Sequence, residues 1–349
     1  MKPPELDPRA RAILLETINE YILSAEPVGS RTLSGKLTEG WSPATVRHAM
    51  AELEEMGFLS QPHTSAGRVP TDQGYRYYVD EILQRRPGPK TLRKPEGGWS
   101  FPEKESSLQE TLGSACSLLS ARTQQPSLIT APSLGNLHLK RIEFIRLAEK
   151  QILAVFISNL GAVQNRMLHL EEDLPQERLT SVANFLNTEF AGRPLLSIRA
   201  ELRRRLKNDQ ARYRKLFKKA LDLWGRVFAD EDQAQLLVEG LNHLLDQPEF
   251  EGDLQRMKAL FRTVEERRKL VKLLDLCMQQ EGTSVIIGEE HLLKEMRGCS
   301  LIAQIYSVDD NTLGALAILG PKRMDYGKMI HIVQTSAANV SQYLSLKSG

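Results

Sequence analysis

The chain has 349 residues, of which 41% are hydrophobic, with 46 lysine and arginine residues against 44 aspartate and glutamate residues. This length predicts two or three domains, and the composition excludes a disordered or fibrous chain. No apolar run approaches the roughly 18 residues that a membrane-spanning helix needs, and the first residues are charged where a signal peptide is apolar. Cys116, Cys277 and Cys299 are odd in number and far apart, which favours a reducing compartment. We therefore expect a cytoplasmic protein with no membrane partner.

The first 85 residues predict three helices, a hairpin and a fourth helix. Apolar residues recur at helical spacing over 9–23, and Pro27 ends that element. A short second helix follows, and Ser42 before Pro43 is a strong start signal for the third, which stops at Gly57. Two short extended segments flank a TSAG turn, and Thr71 caps the fourth helix.

The remainder of the chain predicts an α+β domain with an insertion. Residues 86–107 are rich in proline, glycine and charge and predict a linker. Strand-like runs lie both before and after a helical block, which indicates that the block is inserted into one domain. In chain order we predict a helix near 108–122, three strands within 137–170, helices at 175–191, 195–228, 233–246 and 253–280, strands at 284–288, 299–308 and 312–319, and a last helix at 325–346.

The third helix has the pattern of a recognition helix in a winged helix-turn-helix. At 100° per residue, an apolar face of Val46, Ala49, Met50 and Leu53 lies opposite a face with Arg47 and His48. The first turns of such a helix enter the major groove, where arginine donates two hydrogen bonds to guanine. The hairpin supplies a wing that tracks the phosphate backbone or the minor groove. The predicted DNA-binding residues are Arg31, Ser42, Thr45, Arg47, His48, His63, Thr64, Ser65 and Arg68.

Simpler interpretations of the same residues stay open. Many small helical domains share a helix-turn-helix pattern, and Arg47 could instead pair with Glu54. Residues 1–86 carry 10 basic against 12 acidic side chains. DNA binding therefore requires the acids to lie away from the groove-facing side. Residues 199–219 hold ten basic against two acidic residues, which fits either a second nucleic-acid surface or the solvated face of a helix.

The sequence shows no constellation that predicts catalysis. It contains no HExxH, CxxC, GxxxxGK[ST], GxGxxG or GxSxG motif, so we expect no catalytic, metal or cofactor-binding residue. The most motif-like C-terminal stretch is GPKRMDY at 320–326. It is either a ligand- or partner-binding loop or, as we prefer, a strand end followed by Asp325 as a helix cap.

Several segments resemble the HrcA family of heat-inducible transcription repressors. They are PVGSRTL (27–33), ATVRHAMAELEEMGFL (44–59), QPHTSAGRVPTDQGYRYYVD (61–80), GLNHLLDQPEF (240–250), SVIIGEE (284–290), CSLIAQIY (299–306) and GALAILGPKRMDYGKMI (314–330). The resemblance spans the chain and is weakest over 86–135 and 191–230. The family usually has asparagine where this chain has His48.

The resemblance implies a homodimeric repressor that binds double-stranded operator DNA, an inverted repeat of the CIRCE type upstream of chaperone genes. It also implies loss of activity on heating and restoration by the chaperonin GroEL. The implied division is a winged-helix domain at 1–85, a linker at 86–107, a GAF-like domain at 108–192 and 253–349, and an inserted dimerisation domain at 193–252. A palindromic operator needs two recognition helices about 34 Å apart, or a multiple of it, and hence a dimer. The expected dimer seam is Leu206, Tyr213, Phe217 and Trp224.

One alternative remains, a winged-helix regulator of another set of genes that a small ligand controls through the GAF-like domain. A fold alone does not transfer ligand binding. The predicted strands at 140–170 are mostly apolar and show no convergent polar set.

Overall fold

The computed structural model describes residues 6–63, 66–85, 107–132, 137–208, 214–228, 236–250, 254–280, 282–308 and 311–348. The helices are α1 (Pro8–Ser24), α2 (Ser30–Ser34), α3 (Pro43–Glu55), α4 (Asp72–Arg85), α5 (Leu108–Thr123), α6 (Gln176–Phe190), α7 (Leu195–Asn208), α8 (Arg214–Val227), α9 (Leu254–Glu265), α10 (Arg267–Met278) and α11 (Tyr326–Ser348). The strands are β1 (Leu59–Ser60), β2 (Val69–Pro70), β3 (Ser127–Thr130), β4 (Leu139–Ala148), β5 (Gln151–Ser158), β6 (Val163–His169), β7 (Leu236–Glu239), β8 (Thr283–Ile287), β9 (Cys299–Val308) and β10 (Asn311–Pro321).

The N-terminal unit, residues 6–85, has its elements in the order that the sequence predicts. Asp7 caps α1 by accepting from the backbone N–H of Ala10 at 2.6 Å. Ser42 caps α3 by accepting from the N–H of Thr45 at 3.2 Å, and Pro43 occupies the first turn. Thr71 accepts from the N–H of Gly74 at 3.1 Å at the start of α4. These caps satisfy backbone donors that the first turn of a helix leaves unpaired.

The five-stranded unit consists of one antiparallel sheet with helices packed on both faces. Its strand order is β7-β3-β10-β9-β8. Helices α5 and α11 cover one face of this sheet, and α9 and α10 cover the other. The alternating side chains of β9 and β10 are buried on both faces, which explains why these strands read as nearly continuous apolar runs.

The three-stranded unit, residues 137–228, is separate in its strand pairing. Strands β4, β5 and β6 form their own antiparallel sheet. One face packs against α6 and α8, where Phe228 lies edge-on to Phe156 at 5.3 Å between ring centroids and 4.6 Å from Trp224. Residue 193, where the sequence analysis begins the inserted domain, lies between α6 and α7 of this unit. In the chain, β4–β6 lie between β3 and β7, which pair with each other in the five-stranded sheet.

Three helical predictions differ from the structure. The helix expected over 233–246 is wrong at residues 236–239, which form β7 and pair with β3, and Leu241–Leu244 form only one short 3-10 helix. The helix expected over 253–280 is two helices that meet at Glu266. The stretch 195–228 contains α7 and α8, and residues 209–213 lie outside the described residues. Both β3 and β7 are only four residues long, so their periodicity was too short to reveal them.

His291 lies just after β8 and is only 2% exposed. Its burial lowers the pKa to about 4, although the Cys299 backbone and the carboxylates of Glu290 and Asp72 act to raise it. Burial has this effect because it disfavours the charged imidazolium. The ring is therefore neutral in the folded chain at pH 7.

A pH dependence of stability follows from this lowered pKa. The unfolded chain protonates His291 at its ordinary pKa of 6.5, so between pH 6.5 and 4 the unfolded state binds more protons and stability falls as the pH drops. In the His291→Gln variant, the slope of the unfolding free energy against pH should be smaller by up to about 1.4 kcal/mol per pH unit, which corresponds to one bound proton. Urea unfolding at several pH values measures both slopes, and equal slopes would contradict the assignment.

Candidate nucleic-acid interface

Helix α3 presents the two faces that its sequence predicts. Val46, Ala49, Met50 and Leu53 are at most 3% exposed and pack into the core of the N-terminal unit. Arg47 and His48 point to the opposite, exposed side, and the His48 side chain is 75% exposed. The buried face fixes the helix, so the exposed face is held at a defined orientation.

The N-terminal end of α3 is organised by Ser42 and Thr45. The Ser42 hydroxyl caps the helix and also lies 2.9 Å from the Thr45 hydroxyl. Ser42 therefore has a structural task in the helix start, while Thr45 is only partly buried. Because the helix N-terminus carries partial positive charge, this end is favourable for an approaching phosphate.

Arg47 forms no ion pair with any residue that the structure describes. The partner suggested for it, Glu54, binds Arg68 instead at 2.8 Å. His48 lies 3.4 Å from Glu52, whose carboxylate is also 3.9 Å from Arg9. The guanidinium of Arg47 is thus free to meet an external acceptor, whereas His48 has an acidic neighbour one turn away.

Arg68 has a structural role that the sequence did not reveal. Its backbone N–H donates to the carbonyl of Val28 at 2.9 Å, and its carbonyl accepts from the N–H of Val28 at 2.9 Å. Its side chain is 19% exposed and pairs with Glu54. These contacts join the hairpin to the segment before α2 and to α3, so the Arg68 charge is already compensated within the unit.

The other expected wing and helix residues are placed as follows. His63 is exposed, and its carbonyl accepts from the N–H of Ala66 at 2.8 Å. Arg31 is exposed on α2. Thr64 and Ser65 lie outside the described residues.

A pocket with a volume of about 440 Å³ lies between α2, α3 and the hairpin. The Gln61 side chain supports its edge by donating to the carbonyl of Ala66 at 2.9 Å. Sequence analysis missed Gln61, whose only signal was its place at the start of the family-like segment 61–80. The lining residues are Val28, Gly29, Ser30, Arg47, Met50, Gln61, Gly67 and Arg68.

Acidic residues of the N-terminal unit are largely paired. Besides Glu52 and Glu54, Glu20 pairs with Lys36 and Glu81 pairs with Arg11. These ion pairs neutralise part of the acidic charge of the unit locally. Glu55, which is exposed at the C-terminal end of α3, forms no ion pair with a described residue, so negative charge remains at that end and not at the N-terminal turns of the helix.

The residues expected at the dimer seam do not form one exposed surface. Trp224 has no exposed surface within a single chain, so its side chain belongs to the core of the three-stranded unit. Leu206 is partly buried against the same core. Tyr213 lies outside the described residues, and the Phe217 side chain is likewise not described.

The basic stretch 199–219 is partly neutralised where it is described. Arg204 and Arg205 both bind Glu201, at 2.7 and 2.9 Å, and Arg205 also binds Glu189 at 2.7 Å. These hydrogen bonds lower the pKa of Glu201 to about 2. Lys219 lies 3.8 Å from Glu172. The pairing favours the solvated helix face over a second nucleic-acid surface.

Within the described ranges, no three histidine, cysteine or acidic side chains are grouped so that they would hold a metal ion. No helix in the described part of the chain combines the length and apolarity needed to cross a membrane.

An exposed, capped helix beside a short hairpin is an arrangement that also occurs in winged-helix modules that read nucleic acid. The model of the HrcA protein C terminal domain family matches residues 109–330. A heat-inducible transcription repressor HrcA from Geobacter sulfurreducens is 39% identical, over 97% of this chain and 98% of its own length. The corresponding repressor from Desulforamulus reducens is 33% identical, over 97% of each chain.

A solved structure described as a hypothetical protein at 2.2 Å resolution has the same fold. Its TM-score is 0.63 and its identity 24%, and the match covers 98% of this chain and 100% of that chain. The chain belongs to the HrcA family of heat-inducible transcription repressors. It is a negative regulator of heat-shock genes and not an enzyme.

The packing of the hairpin against Val28 leaves no room for a side chain at Gly67. A Cβ at this position would lie 2.7 Å from the carbonyl carbon of Pro27 and would collide with the Val28 carbonyl. We expect Gly67→Ala to lower the free energy of unfolding by about 1–3 kcal/mol. Gly113 of α5 has open space around its Cβ position, so Gly113→Ala serves as the control and should be neutral or stabilising. Equal urea midpoints for the two variants would contradict the argument.

Proposed function

We propose that the chain represses transcription by binding an inverted-repeat operator of the CIRCE type as a homodimer, in the cytoplasm, and releases it on heating. The single observation that supports this most is the exposed Arg47 on α3, free of described acidic partners and adjacent to the hairpin. A supported recognition helix with a wing is the arrangement that winged-helix proteins use to enter the major groove.

In this proposal the residues divide into base-reading and positioning groups. Arg47 donates to guanine, and His48 and Thr45 reach neighbouring base edges. Arg31, His63, Thr64 and Ser65 contact the phosphate backbone and fix the orientation of the unit. Ser42 and Arg68 act indirectly, because their side chains hold α3 and the hairpin in place.

The Arg47→Ala variant tests the reading role. Loss of a bidentate contact should cost about 1–3 kcal/mol in operator affinity, concentrated at one base pair. The measurement is the affinity of each protein for a set of operators that carry one base-pair substitution each, at a stated salt concentration. Arg203→Ala is the control, since Arg203 is an exposed arginine of α7 and should leave affinity unchanged. Equal weakening on all sequences would instead assign Arg47 to the DNA backbone.

A palindromic operator requires a second copy of the chain, and the three-stranded unit offers a surface for it. The face of β4–β6 that turns away from α6 and α8 is rich in apolar side chains. Leu153 of β5 lies between Ile145 of β4 and Met167 of β6, and Ile157 lies beside Val163. Met167 is 65% exposed and Val163 is 56% exposed. Such an apolar patch typically marks a protein contact, and a two-fold interface repeats one patch on both subunits.

Heat release follows from this arrangement. Operator binding with two half-sites requires both subunits, so the affinity depends on how far the dimer is populated. Warming that shifts the dimer towards monomer removes one of the two reading helices from each operator.

Substitution on the sheet face tests the dimer. Met167→Glu introduces two like charges into a two-fold interface and should convert the dimer to monomer in sedimentation equilibrium. Leu346→Glu is the control, because Leu346 is 77% exposed at the end of α11 and lies outside this face. Palindrome affinity should fall with the dimer, while isolated half-site binding stays. A Met167→Glu protein that remains dimeric would remove the sheet face from consideration.

A further inference from the structure

Three segments that lie outside the proposed DNA-contacting residues of α3 and the hairpin meet at one place in the fold. They are the start of α4, the turn after β8, and the loop between β10 and α11. We propose that Asp72 and Arg76 are positioning residues that fix the N-terminal unit on the five-stranded unit and thereby set the spacing between the two α3 helices of the dimer. The inference rests on the proposed function and names the residues that would fix the spacing of the two α3 helices.

Asp72, the first residue of α4, binds both segments of the five-stranded unit. Its carboxylate accepts from the backbone N–H of Glu289 at 2.9 Å and from Lys322 Nζ at 2.5 Å. Gly288 stands in the left-handed region with φ of 53°, and a Cβ there would collide with the Asp72 carboxylate. The turn after β8 is therefore shaped to receive this side chain.

Arg76, one turn further along α4, is held at two groups of the other unit. Its Nε donates to Glu290 Oε1 at 2.7 Å, and its Nη2 donates to Glu290 Oε2 and to the carbonyl of Val285 at 2.6 Å. The planar guanidinium permits these bonds only in one orientation of the fork. This contact consequently fixes the rotation of α4 as well as its distance.

A second set of contacts joins the same two units beside α4. Arg323 binds Glu249 at 2.5 Å and donates to the carbonyl of Ile22 at the end of α1, at 2.9 Å. The ring of Tyr326 packs against Tyr75 at 5.9 Å and against Tyr78 at 6.4 Å between centroids. The stretch 320–326 thus binds a partner, and that partner is the chain's own N-terminal unit. Asp325 also caps α11, by accepting from the N–H of Lys328 at 2.9 Å.

The docked helix is rigidly joined to the reading surface. Thr71, which precedes α4, donates from its hydroxyl to the carbonyl of Gly57 at 2.5 Å, directly after α3. Helix α3 and the hairpin themselves take no part in these contacts. A change in how α4 sits on the five-stranded unit therefore moves α3 as a rigid body, and in a dimer it changes the separation of the two α3 helices.

The chemistry of the contact favours positioning over simple stabilisation. The side chains of Arg76 and Glu290 are 26% and 39% exposed, and those of Lys322 and Asp72 are 37% and 23% exposed. Partly exposed ion pairs contribute little to stability. Their removal should leave the units folded and still in contact through the Tyr326 ring, with a wider range of relative orientations.

An operator-spacing series with the full-length protein tests the proposal. Wild-type affinity should fall steeply when base pairs are inserted between the half-sites. Arg76→Ala should bind the natural spacing about tenfold more weakly, through loss of effective concentration for the second half-site, and should discriminate less among spacings. Isolated half-site binding should be unchanged. Arg146→Ala is the matched control, since it breaks a comparable ion pair with Asp173 in the three-stranded unit.

A charge reversal separates positioning from misfolding. Asp72→Lys should reproduce the loss of spacing discrimination, and the double variant Asp72→Lys with Lys322→Asp should partly recover it. Single variants that keep the wild-type spacing profile would overturn the proposal, as would variants that lose half-site binding in parallel.

A distance measurement without DNA keeps this test independent of the proposed function. Labels at Met56→Cys and Leu276→Cys, both exposed positions, report the separation of the two units by pulsed electron spin resonance. We expect a narrow distribution in the otherwise wild-type chain and a broad one with Arg76→Ala. Equally narrow distributions would overturn the positioning role. A broadened distribution together with no operator binding by any protein would retain the positioning role and reject the operator.

Discussion

The architecture depends on the antiparallel pairing of β3 with β10 on one side and with β7 on the other. Ser127 lies opposite Glu239 and Thr130 opposite Leu236, so the chain leaves the five-stranded sheet and returns to it at the same place. Everything between these two strands is therefore free to form a separate unit without disturbing the sheet. The two short strands stabilise this junction through hydrogen bonds between residues far apart in sequence, and β4–β6 form a sheet of their own outside it.

The N-terminal unit contacts the same sheet at its other edge, which is strand β8. The turn after the edge strand β8 receives α4, and α4 is joined through Thr71 to the end of α3. A repressor that reads two half-sites needs its recognition helices at a fixed separation, which a flexible tether does not supply. At this junction the polar contacts define orientation, while the buried rings of Tyr75 and Tyr326 contribute hydrophobic burial.

Local patterns predicted the N-terminal unit well, because its helices begin and end on strong signals such as Ser42-Pro43 and because α3 is amphipathic. The exposed position of Arg47 and His48 followed from helical periodicity alone. The pairing of Arg68 with Glu54 and Val28 did not, since nothing in the local sequence reports which segments approach one another. Trp224 shows the same limit, because an apolar helical stripe predicts burial but leaves open whether the chain itself or a second copy covers it.

The sequence by itself determined the family, the order of elements in the first 85 residues, and the faces of α3, since these depend on motifs and short-range periodicity. Only the tertiary structure decided that β4–β6 pair apart from the five-stranded sheet, that residues 236–239 form a strand, and that 320–326 binds the N-terminal unit. Strands of four residues carry too little periodicity to be recognised, and contacts between distant segments depend on the complete fold. The near-neutral charge of the chain likewise gained meaning only when its ion pairs were located. Among the described residues, Glu52 and Glu54 of α3 are paired and Arg47 forms no ion pair.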